Sequence, residues 1–154
     1  MEVPVEQELP SRPAGYASWL LTQTAAHASR MISAAFAASG ARGYHYRVLA
    51  ALDELGPLSQ AGLSRSTGIH VSDIVATVNE LVSAHLVDRA PDLSDRRRNV
   101  ISLTGSGRRR LDRLDKRVRA VQEDLLAPLS EPERRQLHGL LSRLLSYHGT
   151  HQTN

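Results

Sequence analysis

Apolar residues recur along most of this chain at intervals of three and four, the spacing of one buried helical face. From Tyr16 to about Ala38 the chain is rich in alanine and free of glycine and proline, which predicts a long helix. Leu20, Met31 and Ala35 can share one side of it. Gly40 and Gly43 mark a break. A second helix is expected from about Tyr44 to Leu55, with Val48, Leu52 and Leu55 at helical spacing, and Gly56-Pro57 stops it. Ser59 is a good N-cap for a short third helix ending near Ser66, whose Leu63 should point into the core. Gly62 inside that helix costs about 1 kcal/mol relative to alanine, so close packing there is expected. After a turn at Gly68, the stretch Val71 to Ala84 places Val71, Ile74, Val78 and Leu81 on one stripe. Ser72, Asp73, Ala76, Thr77 and Glu80 are left to face outward.

The period then shortens to two. Leu86-Val87 and Val100 to Leu103 read as strands, joined by an acidic turn that carries Arg96, Arg97 and Arg98. Thr104 opens a long basic helix that runs to about Leu126 and ends before Pro128. Ser130-Glu131-Pro132-Glu133 is an N-terminal signature for a last helix, with serine as cap and proline and acids in the first turn. That helix carries Leu137, Leu140, Leu141, Leu144 and Leu145, a stripe wider than one thin helical layer buries within a monomer, so a dimer seam is its natural use. The first dozen residues hold two prolines and three glutamates and read as a flexible acidic arm over residues 1–13. The fold class is therefore mainly α with a small β wing, in one domain over residues 1–154. A winged helix-turn-helix spans 44–103, between helical segments at 14–40 and 104–147.

Charge sharpens this picture. The formal net charge is only +3, but 10 of the 19 basic residues fall between Arg96 and Arg119, opposed there by Asp112 and Asp115 alone. Such clustering suits a polyanionic partner. Eighteen of the 19 are arginine, a planar fork donor for phosphates and base edges. With no cysteine, disulfide frameworks, thiolate metal sites and thiol redox sensing are excluded. No stretch approaches about 18 consecutive apolar residues, and no signal-like segment opens the chain, so a cytoplasmic protein without membrane contact is expected. A nucleophile with its base is not discernible, and Gly105-Ser106-Gly107 lacks the lysine of a phosphate loop, so no enzyme and no cofactor is expected. Among seven histidines, His148 and His151 have an i, i+3 spacing that could meet one ion, but a third and fourth protein ligand are missing.

The pattern D-x-x-D-R-R, a strand, then L-T-x-x-G stands here as Asp92, Asp95, Arg96, Arg97, Leu103, Thr104 and Gly107. With the order of helices around it, residues 15 to 147 resemble the MarR family of bacterial transcriptional regulators. The resemblance implies a homodimer on double-stranded DNA, joined through dimerisation helices at 14–40 and 104–147. The recognition helices would enter successive major grooves of a pseudo-palindrome with half-sites about 10 bp apart, and each wing would lie over a minor groove. It assigns Arg97 to the groove, Asp95 as the carboxylate fixing its rotamer, and Arg96 and Arg98 to phosphates. Ser59, Gln60 and Arg65 are candidates for phosphate contacts around the first helix of the motif, Arg65 being equally well read as an ordinary solvent-facing residue, and His70, Ser72, Asp73 and Thr77 belong to the recognition element. The chain departs from the family at Ala76, where an arginine is frequent, and at His70, where serine or threonine caps. Asp73 near phosphates is unfavourable unless it accepts from a cytosine amino group.

The resemblance also implies a small aromatic or phenolic effector between the dimerisation layer and the winged domain. Tyr16, Trp19, His45, Tyr46 and Arg47 are the candidates, since aromatics could stack a ring and the cations neutralise a carboxylate. The same aromatics could instead plug the core between the first two helices. Arg47 stands where urate-responsive relatives carry an aspartate, which argues against urate. The expected function is a ligand-responsive repressor. A non-specific architectural DNA binder and a zinc-responsive regulator remain the alternatives.

Overall fold

The computed structural model describes residues 11–151, with side chains described to Gly149. Seven helices and three short strands follow one another along them: α1 (Ser11–Ala14), α2 (Ala17–Ala37), α3 (Gly43–Leu55), β1 (Leu58–Ser59), α4 (Gln60–Thr67), α5 (Val71–Ser83), β2 (Val87–Pro91), β3 (Asn99–Leu103), α6 (Gly105–Leu125) and α7 (Glu131–His151). The architecture is mainly helical with a small antiparallel sheet, as the periodicities require. Of the arm expected over residues 1–13, residues 1–10 lie outside the described range. Its last residues are not an arm, because Ser11–Ala14 forms one helical turn. Pro13 is tolerated there because first-turn amides have no intrahelical partner to lose.

The single domain expected over 1–154 divides into two compact units, Met1–Val118 and Arg119–Asn154. The division follows the core. Phe36, Val48, Leu49, Leu52, Leu63, Ile69, Ile74, Val78, Leu81, Val87, Ile101, Leu111 and Leu114 form one buried cluster, and no described residue beyond Val118 joins it.

In the first unit α2 ends in a Schellman turn: Gly40, at φ +64°, donates to the Ala37 carbonyl, and the Ala41 N–H returns to Phe36. α3 buries Val48, Leu49 and Leu52, whereas Leu55, expected on the same stripe, is 59% exposed because the helix ends there at Gly56. α4 is capped as expected, the Ser59 hydroxyl accepting from the Gly62 N–H at 3.1 Å. Gly62 is buried with a Cβ position only 3.3 Å from Ser59 Oγ and 3.5 Å from Leu58, which accounts for glycine inside the helix.

Helix α5 corrects the sequence reading. Its buried residues are Ile74, Thr77, Val78 and Leu81, so Thr77 does not face outward; it is 1% exposed. Positions 74, 77, 78 and 81 are the i, i+3, i+4, i+7 set of one helical face, and the period overrides the polarity of a hydroxyl. Val71, placed on the buried stripe by sequence, is 49% exposed because it lies one turn ahead, at the helix start.

The sheet has the order β1-β3-β2. Val87 pairs with Leu103 and Pro91 with Asn99 across the hairpin, and Leu58 pairs with Ile101 on its other side. The second unit holds α7, whose start is fastened by its own Glu133: the Ser130 N–H and hydroxyl both donate to that carboxylate, at 2.8 and 2.7 Å. Arg134 fastens the same corner, donating to the Leu129 carbonyl at 3.1 Å and pairing with Glu123 at 2.6 Å. Leu140, Leu141, Leu144 and Leu145 are between 39% and 76% exposed and Leu137 is half-buried, so the leucine stripe stands largely uncovered among the described residues.

Candidate nucleic-acid interface and ligand cleft

Helices α4 and α5 meet at a turn built from local hydrogen bonds. Gly68 takes φ +68°, Thr67 Oγ1 donates to the Leu63 carbonyl at 2.6 Å, and Ser64 Oγ donates to Ile69 at 2.7 Å. Arg47 reaches across from α3 to the Thr67 carbonyl. His70 caps α5 in place of the usual serine or threonine, its Nδ1 accepting from the Ser72 N–H at 3.3 Å and lying 2.9 Å from the Ser72 hydroxyl. Ser72, Asp73 and Ala76 are exposed, as the sequence pattern indicates, and Arg65 is exposed on α4 with Gln60 half-buried before it. Thr77, counted among the recognition residues, belongs to the core instead.

The wing shows why its motif carries two aspartates. Asp92 Oδ1 accepts from both the N–H and the hydroxyl of Ser94, each at 2.8 Å, and the Asp92 N–H closes the turn on the Arg98 carbonyl at 2.8 Å. The Ser94 N–H, then its hydroxyl, holds the Asp92 carboxyl below the ordinary aspartate range. Asp95 accepts from the Arg97 backbone N–H at 3.1 Å, and its own carbonyl accepts from the Arg98 N–H. The expectation that Asp95 fixes the Arg97 side chain is thus replaced: the carboxylate holds the main chain, and the three guanidinium groups stand exposed at the tip. Arg89, at the base of the hairpin, donates to Asn79 on α5 at 2.6 Å and ties wing to helix.

The L-T-x-x-G segment is a clasp. Thr104 Oγ1 lies 2.8 Å from the His85 carbonyl and 3.0 Å from that of Leu86, and it accepts from the Gly107 N–H at 2.9 Å. The backbone of Gly107 passes so near that an added Cβ would fall 2.0 Å from the Leu86 oxygen. Only glycine permits that approach.

The five residues expected to form a ligand pocket do not come together. Tyr46 donates to Asp115 at 2.6 Å and packs against Phe36 with ring centroids 5.4 Å apart, the core role that the sequence left open. Arg47 is committed to the helix-turn-helix turn, and it lies with Tyr46 along an open groove between α3 and α4. Tyr16 is 68% exposed at the start of α2, and neither it nor Trp19 lines a described cleft. Among the described residues, His45 lines a cleft of suitable chemistry, about 280 Å³ in volume, with Glu80, Leu81, Arg110 and Arg113.

Two of that cleft's groups are coupled. His45 Nδ1 accepts from the Arg42 N–H at 3.2 Å, which leaves Nε2 to donate to Glu80 at 2.6 Å, and the Arg42 guanidinium meets the same carboxylate. The His45 hydrogen bond, then that of Arg42, keeps the Glu80 carboxyl below its usual range. Sequence could not have found this pair, because 35 residues separate His45 from Glu80. Arg110 donates to the Ser39 carbonyl, whereas Arg113 has no hydrogen bond or ion pair among the described residues. For the pair His148 and His151, the side chain of the latter lies outside the described residues. Among the described residues no helix is long and apolar enough to cross a membrane.

Comparison with known proteins places this geometry. A family model described as MarR family matches residues 40–98. The chain is 34% identical over 97 residues to the HTH-type transcriptional repressor NicR of Pseudomonas putida, covering 63% of this chain and 61% of that one. It spans 52% and 61% of the lengths of the two curated relatives it matches. A probable transcriptional regulator from Pseudomonas aeruginosa superposes with a TM-score of 0.75 at 30% identity, covering 85% of this chain and 98% of that one. The MarR family protein Rv2887 of Mycobacterium tuberculosis, solved in complex with p-aminosalicylic acid, gives 0.68 at 27% identity, covering 84% and 98%. The clasped wing, the capped recognition helix and these matches agree, and the chain belongs to the MarR family of transcriptional regulators.

Proposed function

We propose that the protein is a sequence-specific transcriptional repressor that works in the cytoplasm as a homodimer and releases its operator on binding a small aromatic acid. The observation that carries this reading is the wing tip. Three exposed arginines stand on a turn whose backbone is pinned at Asp92 and Asp95, so the main chain of the cationic probe is organised before DNA arrives and ordering of the side chains is the entropy that opposes its insertion. Arg97 enters the minor groove, where narrow AT-rich stretches carry enhanced negative potential, and Arg96 and Arg98 meet phosphates. Ser59, Gln60 and Arg65 flank the backbone, and α5 faces the major groove with Ser72 and Asp73.

The exposed leucine stripe of α7 is the seam of the dimer, and the two-fold axis it generates calls for a pseudo-palindromic operator with half-sites about 10 bp apart. The effector occupies the cleft of His45, Arg110 and Arg113, where a carboxylate finds two guanidinium groups and a ring finds Leu49, Leu81 and Leu86. Rv2887 binds an acid of this class, and here the cleft is lined by residues of the recognition helix itself, so occupancy is felt at the DNA face.

Fluorescence anisotropy on the DNA upstream of the protein's own gene tests the reading. Competitor-resistant binding should weaken by at least about tenfold in Arg97→Ala, and random DNA should compete about a thousandfold less well than the operator. Equal competition by random DNA, with no difference between the two proteins, would refute it.

A further inference from the structure

The first two turns of α5 carry an unusual set of groups for a helix that reads DNA. Ser72, Asp73 and Ala76 are exposed, and Val71 and Val75 are 49% and 38% exposed beside them. Residues 71 to 76 contain no arginine, lysine, asparagine or glutamine. The hydrogen-bonding sense of the two polar residues is fixed by the cap. The backbone N–H of Ser72 can only donate, so His70 Nδ1 must hold a lone pair, and the Ser72 hydroxyl, 2.9 Å from that same nitrogen, spends its proton there. What Ser72 Oγ then presents outward is lone pairs. The Asp73 carboxylate likewise only accepts. Thr77, the next hydroxyl along the chain, is buried and adds nothing to the surface. Asn79, one turn further along the exposed side, has its carbonyl occupied by Arg89, and lies beyond the turns that reach base edges first.

Resting on the repressor reading above, we infer that this helix selects base pairs by their major-groove amino groups and thymine methyls, and rejects guanine edges opposite Asp73. In the major groove the hydrogen-bond donors are cytosine N4 and adenine N6, and the apolar group is the thymine methyl. An acceptor-only pair flanked by valines and alanine complements these groups. Guanine presents O6 and N7, both acceptors, and a carboxylate facing them is repelled. The selection is therefore partly exclusion, a penalty on the wrong base as well as a gain on the right one. The arrangement also accounts for an acid on a surface that approaches phosphates: Asp73 lowers affinity for DNA in general and returns it only where an amino group is met.

The experiment is selection of duplexes from a random pool by the full chain, run in parallel with Asp73→Asn, followed by anisotropy on the selected half-sites. An asparagine both donates and accepts, so it tolerates guanine where aspartate does not. Wild type should show one position with cytosine or adenine on the read strand, where guanine costs about tenfold or more. In Asp73→Asn that cost should fall to within about threefold while other positions keep their preferences, with circular dichroism showing an unchanged helix content. A second arm needs no variant: deoxyuridine in place of each selected thymine in turn should weaken wild-type binding at one position or more. Identical preferences in Asp73→Asn, or a dominant guanine whose contribution vanishes with 7-deazaguanine, would overturn the inference and leave the repressor reading standing. Enrichment of no sequence at all by the wild type would overturn both.

Discussion

Gly107→Ala separates two opposing effects of known sign. Inside a helix, alanine is favoured over glycine by about 0.8–1.0 kcal/mol, so propensity alone predicts a more stable protein. The structure predicts the reverse. The new Cβ would stand 2.0 Å from the Leu86 oxygen, 3.0 Å from its carbon and 2.7 Å from Leu103 Cδ1. A main-chain carbonyl would have to retreat by more than about 1 Å to reach ordinary contact distance. That carbonyl accepts from the Thr104 N–H at 3.2 Å, with the Thr104 hydroxyl at 3.0 Å, so retreat also loosens the clasp at the root of the wing. Overpacking costs about 1–3 kcal/mol and each of the two loosened hydrogen bonds about 0.5–1.5 kcal/mol, so after about 1 kcal/mol gained in propensity a net loss of about 1–5 kcal/mol is expected. Gly139→Ala in α7 is the control: no atom lies within 4 Å of its Cβ position, and it falls on the side of the helix away from the leucine stripe. It should stabilise by up to about 1 kcal/mol. Urea unfolding of the three proteins at one fixed concentration gives both values, the fixed concentration removing any contribution from association. A Gly107→Ala protein within about 1 kcal/mol of wild type would refute the reasoning.

Thr77→Val replaces a buried hydroxyl that has no hydrogen-bond partner among the described residues by a methyl of similar shape. It should stabilise by about 1 kcal/mol in the same assay and leave operator affinity unchanged, whereas a loss of affinity would return Thr77 to the DNA face. Leu144→Glu, placed on the exposed stripe of α7, should convert a dimer into monomer in light scattering behind gel filtration. The order of the wing should depend on pH. Asp92 has a lowered pKa in the folded chain, so its contribution is present above the ordinary aspartate value and is lost as pH falls through the lowered one. Protection of the Ser94 amide, its exchange rate taken relative to the intrinsic rate at each pH, should fall across that acidic window, and unchanged protection would count against the turn described.

The elements were legible because their signals are local. Ser59, Ser130, Gly40 and Gly56-Pro57 each fix a helix end through their own backbone chemistry, and the alternation of residues 100–103 fixes a strand. Thr77 was misplaced where polarity and period disagreed, since a lone hydroxyl at a core position looks like a surface residue until its neighbours at 74, 78 and 81 are counted with it. The wing was legible as a cationic turn, but what its aspartates hold was not, because a carboxylate can reach a side chain or a main-chain N–H with equal ease from the same spacing. The ligand residues were the least legible. Tyr46 and Arg47 are adjacent in sequence to His45, yet one step along a helix turns a side chain by about 100°, which sends neighbours to different faces. The charged residues that do share the cleft with His45, Glu80, Arg110 and Arg113, come from α5 and α6, at least 35 residues away along the chain.

The hook between α3 and α5 has a mechanical consequence. With Arg42 and His45 both gripping Glu80, the recognition helix is fastened near its far end to the start of α3, and Arg47 fastens the turn before α5 to the middle of the same helix. Two attachments along one helix oppose bending of α5 away from α3. In the proposed homodimer, a signal reaching this motif would turn α3, α4 and α5 together as one lever. Spin labels placed on the two copies of α5 would register it as a change in their separation, with the distances inside each motif unmoved.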